Sequence, residues 1–165
     1  MESPNVLVLR SISHPVASID RVGFPLDHPY VEQCLLPWLG PSSVLFLRRM
    51  PELWKDADHA QVPSDELADL LGIKHDQLRR TLDRVDKFGF AKRPGPGQVH
   101  VYRRCAPLST RLLARQPERA RDAHHRLVAE HLDQLAHGGD SAAAQIRGLG
   151  ERVQQRARPA PELGR

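Results

Sequence analysis

Between residues 64 and 89 two amphipathic stretches follow one another, and each is stopped by a glycine. In the first, Ser64 precedes Leu67, Leu70 and Leu71, and Gly72 follows. Ser64 can accept from an unpaired first-turn amide, and Asp65 and Glu66 suit the positive end of a helix. In the second, about 76–88, Leu78, Leu82 and Val85 recur at steps of four and three, which puts them on one helical face. Gly89 then suits the left-handed conformation that ends a helix. Only a short link joins the two stretches, so the helices must cross closely. Ala68 is small where they would meet, Gly72 permits the positive φ of a sharp turn, and Ile73 plugs the corner from inside.

What flanks this pair is also structured. Residues 90–93 and 98–104 are strand-like runs on either side of Pro94-Gly95-Pro96-Gly97, a strong turn signal. Val99 and Val101 alternate with His100 and Tyr102, leaving one polar side to the strand. Upstream, Pro29 suits the first turn of a helix to about residue 39, capped by Asp27 or His28 and with Leu35, Leu36 and Leu39 as its apolar side. Gly40-Pro41 interrupts it. Ser42 and Ser43 open a second segment, 44–50, with Leu45, Phe46 and Leu47 as core. Residues 60–62 read as a very short strand. Residues 5–12 are aliphatic and β-branched, fitting a short strand or an ordered arm, and 14–28 read as a connecting loop. Downstream, Ser109 caps a short helix to residue 114. Pro117 begins a longer one, about 118–137, ended by Gly138-Gly139. A further helix around 142–153 is compatible with the sequence, and the last ten residues offer nothing to bury and read as disordered.

In this order of elements, and in Leu67-Ala68-Asp69-Leu70-Leu71-Gly72-Ile73, then Leu78 and Leu82, then Phe88-Gly89-Phe90-Ala91 and the basic ribbon, the chain resembles the winged helix-turn-helix superfamily. The resemblance covers about half the chain and points to no narrower subfamily. It implies a fold that is mainly α with a small β-hairpin, a winged helix-turn-helix with additional C-terminal helices. The expected organisation is an N-terminal strand or arm and loop at 1–27, the winged domain at 28–110, C-terminal helices and a candidate dimerisation region at 111–138, and a flexible tail with room for a short helix at 139–165. A generic helical domain with a surface hairpin shares several of these ingredients.

In that superfamily the second helix of the motif enters the major groove and the wing touches the backbone or minor groove. Here the helix is 76–88 and the wing 91–104. The expected duplex contacts are Lys74, Gln77, Arg79, Arg80, Arg84 and Lys87 on or beside the helix, with Lys92, Arg93, Arg103 and Arg104 on the wing. Arginine can grip guanine, glutamine can pair with adenine, and both can hold phosphate. The helix alone is ambiguous. From Lys74 to Lys87 there are five basic and three acidic residues, a net of only +2, and Asp76–Arg80, Arg79–Asp83 and Asp83–Lys87 have the i,i+4 spacing of a solvated face. The wing adds four cations and no acid. Helix and wing together hold +6 against +4 for the whole chain, so positive charge concentrates there. Basic residues that merely protect an edge strand would look similar.

The expected function is a sequence-specific, double-stranded DNA-binding transcriptional regulator acting as a homodimer, with Leu112, Leu113, Leu127, Val128, Leu132 and Leu135 available for self-association. The alternative is a winged-helix protein-interaction module that binds no DNA. No enzyme is expected: GxSxG, Walker-type and GxGxxG motifs are absent from the sequence. No cofactor or metal is expected either. His124, His125 and His131 share a helix with Glu130, but no histidine pair among them has i,i+4 spacing. Cys34 and Cys105 form no CxxC motif and read as small core residues of a reducing compartment. No signal-peptide pattern and no run of 18 apolar residues occurs, which points to a cytoplasmic protein without membrane partners. Trp54 fits either a partner anchor or the closed edge of a core, the latter being favoured.

Overall fold

The structure, a computed structural model, describes residues 5–156, with side chains through residue 137. Residues 157–165, the end of the expected tail, lie outside the described residues. The chain divides into two compact units between Leu127 and Val128.

The first unit begins with strand β1 (Val6–Ile12), a short helix α1 (Ala17–Val22) and a two-residue strand β2 (Phe24–Pro25). Helices α2 (Pro29–Leu39) and α3 (Pro41–Leu53) follow, then β3 (His59–Pro63), α4 (Ser64–Leu70) and α5 (His75–Lys87). Strands β4 (Ala91–Gly95), β5 (Gln98–Tyr102) and β6 (Arg104–Cys105) and helix α6 (Thr110–Leu113) complete it. Helix α7 (Glu118–Arg156) starts in the first unit and continues as the second.

Four strands form one sheet in the order β3-β1-β5-β4. The aliphatic run at the N-terminus is a strand of its interior. β1 runs antiparallel to β3, with Leu9 opposite Ala60, and parallel to β5, with Leu9 opposite Val99. Alternation sends Leu7 and Leu9 to the side where Val62, Val99 and Val101 are buried. The fold is therefore mixed α/β, which corrects the expectation of a mainly α fold with only a small hairpin. In the ribbon alone the apolar strand β5 would leave its second row of amides and carbonyls unpaired, and β1 supplies the partner.

β4 and β5 pair antiparallel around Pro96-Gly97, with an irregularity between Lys92 and Gly95 where Arg93 and Pro94 sit. The expected second strand, 98–104, ends at Tyr102. Arg104-Cys105 pairs instead with Phe24-Pro25, so the loop expected at 14–28 contains a helix and a strand.

Several helical details differ from expectation. Ser64 is the first residue of α4 rather than its cap; its buried hydroxyl lies 3.3 Å from His75 Nε2. Leu36, Leu45 and Leu70 are exposed, while Val44 and Met50 lie in the core. α3 opens at Pro41 and so turns Leu45 outward. Helix α7 passes through Gly138-Gly139 without ending; glycine weakens a helix by about 1 kcal/mol relative to alanine but does not forbid it. The caps expected from His28 and Ser109 form: His28 Nδ1 accepts from the Tyr30 amide at 3.0 Å, and Ser109 Oγ from the Leu112 amide at 3.4 Å.

The helical core centres on Tyr30, which is fully buried. Its ring stacks on Phe24 at 4.0 Å, and its hydroxyl accepts from the Leu108 amide at 2.8 Å and lies 2.7 Å from His124 Nδ1. Burial pushes the phenol's pKa up and that of His124 down. Trp54 closes an edge of the core, its indole donating to the Leu9 carbonyl at 3.1 Å.

Because β1 holds both neighbours of the sheet, Leu9→Ala should lower the unfolding free energy by about 2–5 kcal/mol, the range for a fully buried leucine. Urea titration followed by tryptophan fluorescence measures this. A loss below about 1 kcal/mol would show that β1 is dispensable, since ordinary surface changes fall under that size.

Candidate nucleic-acid interface

The expected recognition helix, α5, is placed by two turns of the same design. At the end of α4, Gly72 has φ +65°, its amide donates to the Asp69 carbonyl, and the Ile73 amide donates to Ala68, both at 3.0 Å. At the end of α5, Gly89 has φ +80°, its amide donates to Asp86 at 3.0 Å, and the Phe90 amide donates to Val85 at 2.9 Å. Both are paired closures in which a left-handed residue lets two amides satisfy the last carbonyls. One turn aims α5 and the other releases the chain into the β4–β5 ribbon. Leu78, Thr81, Leu82 and Val85 face inward; Thr81 donates to the Gln77 carbonyl at 2.8 Å and is 3.0 Å from Ser42 Oγ.

The ten expected contact residues separate into groups. Lys74, Gln77 and Arg80 are exposed and line one open cleft of about 660 Å³, together with Gly40, Ser42, Asp76 and Arg84. The cleft therefore lies between the first half of α5 and the start of α3. Lys74, Arg80 and Lys87 have no ion-pair partner among the described residues. Arg79 pairs with Asp76 at 3.9 Å, one turn back, in place of the expected i,i+4 pairings.

Arg84 is engaged differently. Its Nε donates to the Leu39 carbonyl at 2.6 Å and its Nη2 to the Trp38 carbonyl at 2.8 Å, while the guanidinium lies 5.1 Å from the centre of the Phe88 ring. Those carbonyls close α2, so Arg84 both caps that helix and complements its negative end. The sequence places Arg84 among the expected duplex contacts; it is exposed, but its partners are backbone atoms 45 and 46 residues away, which leave no local signal.

On the ribbon, Lys92 is exposed and lies 6.0 Å from the Tyr102 ring centre. Arg93 pairs with Asp83 of α5, tying ribbon to helix and neutralising one of the acids on the outward face. Arg103 and Arg104 lie beyond the second ribbon strand. Arg103 forms a two-point contact with Asp20, Nε to Oδ1 at 2.9 Å, and Arg104 donates to the Gly23 carbonyl at 2.9 Å. The Arg103 hydrogen bond, then the His14 amide, hold the Asp20 carboxyl down at about 2. These two arginines fasten α1 and β2 to the end of the sheet.

A second cavity, about 280 Å³, is bounded by Trp38, Phe88, Phe90, Leu108 and Leu112, with Cys105 at its wall. Burial raises the Cys105 thiol to about 12 and the Cys34 thiol to about 11, so both are poor thiolates. Among the described residues, no helix is long and apolar enough to cross a membrane. No family model, curated protein or solved structure matches the chain.

Two outcomes follow from these contacts. Arg84→Ala should lower stability by about 1.5–3 kcal/mol, the range for hydrogen bonds to a charged group, whereas Arg80→Ala should stay within about 0.5 kcal/mol of the parent. Chemical denaturation of both variants checks the contrast, and equal effects would defeat it. The second outcome concerns acid. Asp20 is lowered in the folded state from 3.8 to about 2, so its stabilisation is complete above 3.8 and is lost as pH falls through about 2. Melting temperatures measured down through this interval should fall less steeply for Asp20→Asn than for the parent; parallel curves would mean that the Arg103 contact is not formed in solution.

Proposed function

We propose that the first unit is a winged helix-turn-helix that binds double-stranded DNA sequence-specifically, as a transcriptional regulator. α4 and α5 are the helix-turn-helix, with α5 entering the major groove, and β4–β5 is the wing beside the backbone. The observation that carries this is the cleft along the first half of α5. Lys74, Gln77 and Arg80 share it, and the acids nearest them are already paired, Asp76 to Arg79 and Asp83 to Arg93. An outward face that looks nearly balanced in sequence therefore presents unpaired cations at Lys74, Arg80 and Lys87. Gln77 and Arg80 are assigned to base edges, Lys74 and Lys87 to phosphates, and Lys92 to the backbone from the wing. Arg84, Arg93, Arg103 and Arg104 are assigned to holding the interface together, because each is engaged within the fold. Two copies reading a two-fold symmetric site make the homodimer of this proposal, in the cytoplasm, where Cys34 and Cys105 remain thiols.

The test is duplex binding over a range of salt, first with a random-sequence pool and then with the sequence it selects. Arg80→Ala should weaken binding to the selected sequence by about 1–3 kcal/mol. Lys87→Ala should weaken all duplexes alike and make the salt dependence shallower by about one unit of slope. Unchanged binding by the Lys74/Gln77/Arg80 triple alanine variant would refute the assignment of α5. Failure of the parent to bind any duplex at low salt would replace this function with the protein-interaction alternative.

A further inference from the structure

The second unit consists of one element among its described residues, the continuation of α7. In proteins a helix takes most of its stability from the packing of an amphipathic face rather than from its own propensity. This one also contains Gly138, Gly139, Gly148 and Gly150, and glycine is among the poorest helix formers. A helix that persists through such a sequence needs a surface to pack on.

The sequence shows what kind of surface. From the unit boundary onward, Val128, Leu132, Leu135, Gly139, Ala142, Ile146, Leu149 and Val153 follow one another at alternating steps of four and three. The repeat covers 26 residues, 128 to 153, without losing step. An average spacing of 3.5 is the period of a left-handed coiled coil, whereas a helix packed against a globular core follows 3.6. Within the stretch whose side chains are described, Leu132 is 58% exposed and Leu135 40% exposed. The positions flanking the seam are mostly small, including Ala129, Ala136, Gly138, Ala143 and Gly150, and Arg152 is their one formal charge. Close approach of a second helix meets no like-charge pairs along most of its length.

The order of sizes along the seam identifies the occupant. It reads Val, Leu, Leu, then Gly, Ala, then Ile, Leu, Val, large at both ends and small in the middle. An identical helix laid alongside matches large to large and small to small whether it runs parallel or antiparallel. We propose that residues 128–153 form a two-stranded coiled coil with the same residues of a second copy of this chain. This gives the homodimer proposed above its interface and rests on that pairing, independently of DNA binding.

The full-length protein tests it. By light scattering at micromolar concentration, the parent and the off-seam control Gln134→Glu should have about twice the 18.6 kDa chain mass. The seam variant Leu132→Glu/Leu135→Glu should have half the mass of the parent. Both tryptophans lie in the first unit, so an unchanged near-ultraviolet circular dichroism spectrum shows that the variant remains folded there. Cysteine cross-linking reads the direction. Leu132→Cys should link to itself in a parallel pair, and a mixture of Leu132→Cys with Leu149→Cys should link in an antiparallel one; either result supports the coiled coil. A monomeric parent, a dimer that survives the seam variant, or the absence of both cross-links would overturn it. Duplex affinity measured on the same samples keeps the two proposals separate: a monomer that still binds DNA defeats the coiled coil alone, and a dimer that binds none defeats the DNA function alone.

Discussion

Strand β1 is the constraint on which the first unit depends. It lies between β3 and β5, and these connect to opposite ends of the α4–α5 pair: β3 runs straight into α4, while α5 leads through Gly89 into β4 and β5. Without β1 the ribbon would be an isolated two-stranded hairpin, which is marginal in water. With it, the ribbon becomes one side of a four-stranded sheet, closed by backbone bonds such as Val8 amide to Gly97 carbonyl at 2.7 Å and Arg103 amide to Ile12 carbonyl at 3.1 Å. The position of the ribbon relative to α5 is thereby set by a ladder and not by the turn alone.

A second set of restraints fixes α5. Its buried side chains define which face points inward, but side-chain burial alone leaves a helix some freedom to slide and rotate. The Arg84 bonds to the last turn of α2, the Thr81 contact with Ser42 and the Arg93–Asp83 pair hold it at three places to three elements. Exposed ion pairs contribute little energy singly. Their value here is orientation, since each removes one way for the helix to shift.

The same contacts decide which cations are available to a ligand. Nine cations look equivalent in composition, and the fold sorts them. Arg84, Arg103 and Arg104 are turned to backbone carbonyls or to Asp20, and Arg79 and Arg93 cover acids. Lys74, Arg80, Lys87 and Lys92 carry no acid partner among the described residues. The proposed interface is smaller than charge counting implies and less acidic than the sequence of α5 implies, for the same reason.

What could be read directly from residues was local. The steps of four and three in Leu78, Leu82 and Val85, the stops at Gly72 and Gly89, the caps at His28 and Ser109 and the Pro-Gly turn are each determined within a few residues, because backbone sterics and neighbouring amides act at that range. The aliphatic run at residues 5–12 was legible as a strand, but its place was not. A strand's neighbours are chosen by unpaired edges far away in the chain, here β3 and β5, and this is why a mainly α fold was expected and a mixed one is found. The partners of Arg84, Arg103 and Arg104 are likewise long-range, and a carbonyl at the end of a distant helix leaves no mark on the residues around an arginine. Sequence alone determined the stops at Gly72 and Gly89, the caps at His28 and Ser109 and where positive charge accumulates. Only tertiary structure decided which strand completes the sheet and which of those charges are left without a partner inside the fold, because both depend on groups brought together across the chain.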